Sequence, residues 1–110
     1  MAEFFLPVLS HFQNRNAWLS SAGRLRYRIV PTLTDEEGNG ILTAEGWEGP
    51  WAYEFSQVEE TAQFPLTPEG LEALVEWIAI QSQAVNSRPE RSLEENLARR
   101  KDPGETREET

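Results

Sequence analysis

Residues 67–80 read TPEGLEALVEWIAI, and they predict the main helix of this chain. Thr67 is a good N-cap, and Pro68 fits the first helical position, where its missing N–H costs nothing. Large apolar residues then recur at i, i+3, i+4 and i+7, and two more widen the same face. These residues are Leu71, Leu74, Val75 and Ile78, together with Trp77 and Ile80. We expect a helix that ends near residues 84–86 and buries one face against a sheet.

Upstream of this helix, short segments have the polar and apolar alternation of half-buried strands. In RLRYRIV (24–30), Leu25, Tyr27 and Ile29 are expected to face the core, and the three arginines to face outward. Further strands are predicted at 3–9, about 41–47, 51–56 and 59–66, with turns at 35–40 and 48–50, while 10–23 stays ambiguous. The simplest arrangement is an α+β fold, in which a small antiparallel sheet of three to four strands packs against one main helix.

The apolar residues divide the chain into a domain and a tail. All eleven aromatic residues lie within residues 1–86, which we interpret as a single α+β domain. From Ser87 onward, the only large apolar residues are Leu93 and Leu97, so residues 87–110 are predicted to be a charged tail, mobile or weakly helical. A capping box at Ser92–Glu95 favours a short helix over about 93–101.

The composition excludes several classes of protein. The 110 residues contain no cysteine, which rules out disulfides, thiolate metal sites and cysteine nucleophiles. The N-terminal run has an acid where a signal peptide is positive, and no segment is long enough to span a membrane. These features favour the cytoplasm.

The charge is concentrated in the middle of the sequence. The net charge is −9, yet residues 29–87 contain eleven acids and no Lys or Arg. Such a field favours a basic partner protein and repels nucleic acid, so no direct DNA binding is expected. The acids predicted to contact a partner lie in a turn, at the start of the strand predicted at 59–66 and along one helix ridge: Asp35, Glu36, Glu37, Glu59, Glu60, Glu69, Glu72 and Glu76. Like charges at these helical spacings oppose folding slightly, which is weak support for a role in binding.

No catalytic motif stands out. His11 is the only histidine, and its neighbour Ser10 would point to the opposite face of a strand. Residues 35–40 resemble the start of a calcium loop, but Gly46 occupies the position that requires a bidentate Glu. We therefore expect no catalytic residue, no metal and no cofactor.

Two other features have both a structural and a functional interpretation. The aromatic run from Trp47 to Phe55 fits core and sheet packing, or it exposes Trp47 and Trp51 as anchors for a protein partner. The arginines of residues 24–28 fit cross-strand pairing with Glu45 or Glu54, or a minor phosphate-contacting stripe.

The chain resembles small acidic proteins encoded by phages and mobile elements of bacteria, including anti-CRISPR and other anti-defence proteins. The resemblance rests on the short length, the acidic centre, and the run from Trp47 to Phe55 that leads to FPLTPEG (64–70). It implies an inhibitor that mimics DNA and occupies the basic surface of a nucleic-acid-binding complex or ribonucleoprotein, such as a CRISPR–Cas effector. The chain differs from an extreme DNA mimic in having nine arginines.

Two alternatives stay open. One is a cytoplasmic interaction or accessory domain that uses the aromatic patch around Trp47 and Trp51, with acidity serving solubility. The other is a small enzyme of a class that these motifs do not reveal.

Overall fold

The strands pair in the order in which they occur along the chain. The computed structural model describes residues 6–100, where four antiparallel strands form one sheet in the order β1-β2-β3-β4. They are β1 (Trp18–Ala22), β2 (Leu25–Leu33), β3 (Gly40–Glu48) and β4 (Glu60–Pro65). The helices of this region are α1 (Leu9–Gln13), α2 (Pro68–Asn86) and α3 (Leu93–Arg99), with a short 3-10 helix at Tyr53–Phe55. The predicted α+β fold is confirmed.

Strand β2 supplies the centre of the core. Leu25, Tyr27 and Ile29 are buried, as their alternation with the arginines predicts. The register places Ala44 opposite Ile29 and Leu42 opposite Pro31, so the apolar residues of β3 share this face. Helix α2 and Phe12 of α1 contribute to the same cluster. Helix α2 therefore covers one face of the sheet, and the other face bears Arg26, Arg28 and, opposite Arg26, the buried Trp47.

Helix α2 begins where the sequence predicts. The Thr67 hydroxyl accepts a hydrogen bond from the Gly70 N–H at 2.9 Å, which satisfies a free donor of the first turn. Leu74 and Ile78 are fully buried. Ile80 is 60% exposed, so the expectation that it widens the apolar face is wrong. It follows Ile78 by two residues, about 200° around the helix, which turns it toward solvent.

The predicted strand at 51–56 is also wrong. After the bend at Gly49–Pro50, the chain forms the 3-10 helix, and the Phe55 N–H bonds to the Ala52 carbonyl at 3.0 Å rather than to a neighbouring strand. The alternating aromatics instead pack on the sheet: the Tyr53 ring lies 5.6 Å from that of Trp47. An alternation of period two thus reflects burial against the sheet rather than membership of it.

The strand predicted at residues 3–9 is wrong over the part of it that the structure describes. Residues 3–5 of the expected strand lie outside the described residues, but Leu9 begins helix α1, which buries Phe12. The ambiguous segment 10–23 becomes most of α1 and the edge strand β1. Helix α3 begins where the capping box at Ser92–Glu95 predicts. Of the two predictions for the tail, mobile or weakly helical, its described part therefore has the short helix.

Candidate binding surfaces at the two ends of the sheet

The turn between β2 and β3 holds three of the predicted contact acids. Asp35 shapes this turn: its Oδ1 accepts hydrogen bonds from the backbone N–H groups of Glu37 and Asn39, and its Oδ2 from the Asn39 side chain. These hydrogen bonds, with that of the Asn39 side chain the largest cause, lower the pKa of Asp35. All three acids of the turn are exposed, but the Asp35 carboxylate is engaged in these hydrogen bonds and has a structural role.

The acidic ridge of α2 begins at the same end of the sheet. The backbone N–H of Leu66 bonds to the Gly40 carbonyl at 2.9 Å, so the start of α2 lies next to the strand ends that flank the turn. We call five exposed acids of this region, which do not include the turn-shaping Asp35, the acidic end. They are Glu36 and Glu37 of the turn and Glu69, Glu72 and Glu76 of α2. Within residues 6–100, none of these five carboxylates forms an ion pair.

The two strand acids lie at the opposite end. Glu60 pairs with Gly46 near the end of β3. Glu59 contacts Arg88 at 2.9 Å, and its second oxygen accepts a hydrogen bond from the backbone N–H of Glu48. The predicted contact acids therefore do not all converge: Glu59 and Glu60 lie at the end of β4 away from the β2–β3 turn and the start of α2.

Within residues 6–100, Glu48 is the one buried charged residue, and it is not among the acids predicted to contact a partner. Its side chain is 2% exposed and contacts three guanidinium groups, from Arg24 at 3.3 Å, Arg88 at 3.0 Å and Arg91 at 3.2 Å. Arg99 donates to the Glu48 backbone carbonyl at 2.8 Å and to that of Gly49 at 2.9 Å. We call these four side chains the arginine cluster.

Burial raises the pKa of Glu48, but hydrogen bonds from Arg88 and Arg91 and the charges of Arg91 and Arg99 lower it by more. The net effect is a pKa below the ordinary value of a glutamate, so the carboxylate stays ionised in the fold. The signal in the sequence was position: Glu48 follows Leu42, Ala44 and Gly46 at even spacing, so it lies on the covered face of β3. Two of its partners, Arg88 and Arg91, lie forty or more residues away along the chain, and no periodicity in the sequence indicates them.

Arg24 joins this cluster to the end of α2. Its guanidinium donates to the carbonyls of Val85, Asn86 and Arg88, which satisfies acceptors that the helix end leaves free. The Asn86 side chain completes the junction by accepting from the Arg24 N–H at 2.7 Å and donating to the Ala22 carbonyl at 3.0 Å. The arginines predicted to face outward thus have different roles, and Arg24 holds the fold together.

Arg28 has the predicted cross-strand partner. Its guanidinium lies 2.8 Å from Glu45, the residue opposite it on β3, and stacks 4.4 Å above the Tyr53 ring. Arg26, two residues earlier on the same face, donates to the Gly23 carbonyl and contacts no carboxylate in the described part of the chain.

The two tryptophans proposed as partner anchors are engaged within the protein. Trp47 is 2% exposed, and its indole N–H donates to the Trp51 carbonyl at 2.9 Å, which fits the packing interpretation of the aromatic run and not the alternative of an exposed Trp47. The Trp51 indole N–H donates to the Asn96 carbonyl of α3 at 2.6 Å, and the Arg100 guanidinium lies 5.6 Å from its ring. The aromatic run therefore fastens the C-terminal helix to the sheet.

His11 packs edge-on against Phe12 and Trp18, and its Nε2 lies 2.9 Å from the Ala17 carbonyl. These contacts give the ring a packing role next to β1. Among residues 6–100, no three acid or histidine side chains gather as a metal site would require. No helix in the same range has both the length and the apolar character needed to cross a membrane.

Comparisons with protein-family models, with curated proteins and with solved structures found no match to this chain.

Proposed function

We propose that this protein is a small acidic binding protein that occupies the basic nucleic-acid-binding surface of another protein or ribonucleoprotein. The observation that carries the proposal is the separation of charge across the fold. At one end, the exposed carboxylates of Glu36, Glu37 and the α2 ridge have no ion-pair partner within the described residues. At the other end, the arginine cluster is engaged with Glu48 and Glu59. The acidic end is therefore free to pair with basic side chains of a partner.

The ridge has the geometry that a basic channel requires. Residues three and four apart on a helix have neighbouring side chains, about 5–6 Å apart, so Glu69, Glu72 and Glu76 form a row of negative charge along α2. A row on a rigid helix resembles a strand of phosphates more than scattered surface acids do. The DNA-binding channel of a CRISPR effector is one surface of this kind, and the proposal extends to it as the first partner to test.

The alternative, an interaction domain that uses the aromatic patch, has less support. It requires Trp47 and Trp51 to be accessible, but the first is buried and the second is bonded to α3.

Neutralising the helix ridge is expected to weaken inhibition of DNA binding. The variant Glu69→Gln/Glu72→Gln/Glu76→Gln loses three carboxylates that each contribute roughly 0.2–1 kcal/mol as exposed ion pairs, so its inhibition constant should rise about tenfold. The measurement is DNA binding by purified Cas9-type ribonucleoproteins with increasing amounts of the protein. Inhibition by the unaltered protein should also fall steeply as salt is raised.

The matched control changes the net charge by the same amount at other sites. Glu54, Glu60 and Glu94 are exposed and lie away from the acidic end, so their combined replacement by Gln should leave inhibition nearly unchanged. Equal loss in both triple variants would show that net charge rather than the ridge matters. Absence of any inhibition across the ribonucleoproteins would remove the CRISPR effector as the partner, and inhibition that is insensitive to salt would contradict the mimicry itself.

A further inference from the structure

A cleft of about 230 Å³ lies at the end of the sheet opposite the acidic end. It opens between the turn that joins β1 to β2, the Gly49–Pro50 bend and the segment that precedes and begins α3. Three guanidinium groups line it, those of Arg24, Arg26 and Arg91. An arginine-lined cleft on a chain of net charge −9 is not explained by the proposed binding of a basic partner.

Arg26 is the arginine of this cleft that contacts no carboxylate within residues 6–100, whereas Arg24 and Arg91 both contact Glu48. A guanidinium has five N–H donors, and within residues 6–100 that of Arg26 makes one hydrogen bond, to the Gly23 carbonyl at 2.8 Å. It packs directly on the Gly49 backbone, where even a methyl side chain would lie 2.9 Å from its central carbon. The glycine thus allows the guanidinium to lie against the chain and face the cleft. Arg28, by contrast, is neutralised by Glu45.

The cleft also carries surplus positive charge. Its wall contains three arginines and two acids, Glu48 and the exposed Glu90. Behind the wall, the Glu48 carboxylate is shared with Arg88, and its backbone carbonyl is bound by Arg99. Arg88 also pairs with Glu59, so the five arginines of the cleft and its surroundings outnumber the three acids, and an added anion would balance the remaining positive charge.

We propose that this cleft binds the phosphoryl group of a small molecule, with Arg26 as the main ligand and Arg91 beside it. Guanidinium groups match phosphate oxygens with paired, charge-assisted hydrogen bonds. The volume suits a phosphoryl group with part of its substituent. A long polyanion is disfavoured, because the acidic surface repels it along its whole length. A small phosphate feels mainly the charges within a Debye length, about 8 Å at physiological salt.

The experiment is a titration of the full chain with inorganic phosphate and, separately, with AMP, followed by NMR at constant ionic strength. The Arg26 and Arg91 side-chain N–H signals and the Gly23 and Gly49 amide signals should shift and saturate with either probe. Saturation by both probes with equal affinity indicates recognition of the phosphoryl group alone, and tighter binding of AMP indicates a phosphate ester as the ligand. Acetate at the same concentration serves as the carboxylate comparison.

The variant Arg26→Gln should weaken phosphate binding about tenfold or more, because a charge-assisted pair is lost. Arg28→Gln removes the same charge two residues away on the same face and should change the affinity by less than about twofold, as screened surface charges do. The amide spectrum of each variant checks that the fold persists. The inference is overturned if no signal saturates, if acetate binds as well as phosphate, or if both variants weaken binding equally. None of these outcomes depends on the acidic end, so failure of the phosphate proposal would not count against the proposed function.

Discussion

Replacing Glu48 by Gln is expected to lower the free energy of unfolding by about 3 kcal/mol. Removing one partner from a buried ion pair typically costs about 3–5 kcal/mol, because the other charge is left unpaired. Here the guanidiniums of Arg24, Arg88 and Arg91 retain about a third of their exposure, so they can partly rehydrate, and the lower end of that range applies. Urea unfolding followed by tryptophan fluorescence measures the change.

The matched control is Glu54→Gln, which removes the same charge from an exposed position. Surface substitutions of this kind usually change stability by less than about 0.5 kcal/mol. If both variants lost the same stability, the buried carboxylate would have no special role. The Trp51 indole is hydrogen-bonded to α3, which Arg99 of the arginine cluster also holds against the sheet. Glu48→Gln, which disturbs the arginine cluster, should therefore also change the fluorescence of Trp51 in the folded protein.

The stability contributed by Glu48 is expected to disappear in acid. Its pKa is lowered in the folded protein, so the folded state favours the ionised form more than the unfolded state does. The contribution is therefore fully present above the unfolded pKa of about 4.3 and is lost as the pH falls through the lower folded pKa. The stability difference between the unaltered protein and Glu48→Gln should shrink over this interval. A difference that stayed constant down to the most acidic pH would contradict the assigned shift.

Replacing Gly70 by Ala is expected to destabilise the protein by about 2–3 kcal/mol, the scale of overpacking in a filled core. A methyl group at this position would lie 1.8 Å from the carbonyl oxygen of Pro65, which is backbone and cannot rotate away. The first turn of α2 and the end of β4 would have to separate. The measurement is again the free energy of unfolding, with circular dichroism to follow the helix.

The sign of the stability change for Gly70→Ala is decisive, because helix propensity alone predicts that this replacement stabilises the protein. Ala is favoured over Gly in a helix by about 0.5–1 kcal/mol. The exposed Ala73 on the same helix provides the comparison: Ala73→Gly should cost only that amount. A Gly70→Ala variant as stable as the unaltered protein would mean that α2 lies farther from β4 than described.

The parts of the fold that the sequence predicts are those whose signals are local. Thr67 and Pro68 mark the start of α2, and the capping box at Ser92 marks α3, because each satisfies backbone groups within a few residues. The alternation in β2 predicts its buried residues for the same reason. The aromatic run at 51–55 misleads because side chains packing on a sheet can alternate as strand residues do, although their backbone is not in the ladder.

The candidate surfaces were predictable only in part. The ridge of Glu69, Glu72 and Glu76 follows from helical spacing, but that it begins at the same end of the sheet as the β2–β3 turn depends on how β4 pairs with β3. Sequence alone therefore determined that the chain is an acidic α+β domain with a charged helix ridge. Tertiary structure decided that Glu48 is enclosed by arginines from three distant segments and that the acids divide between two ends of the sheet. The reason is physical: local hydrogen bonds and periodic burial are encoded within a few residues, whereas charge pairing depends on distances that only the folded chain sets.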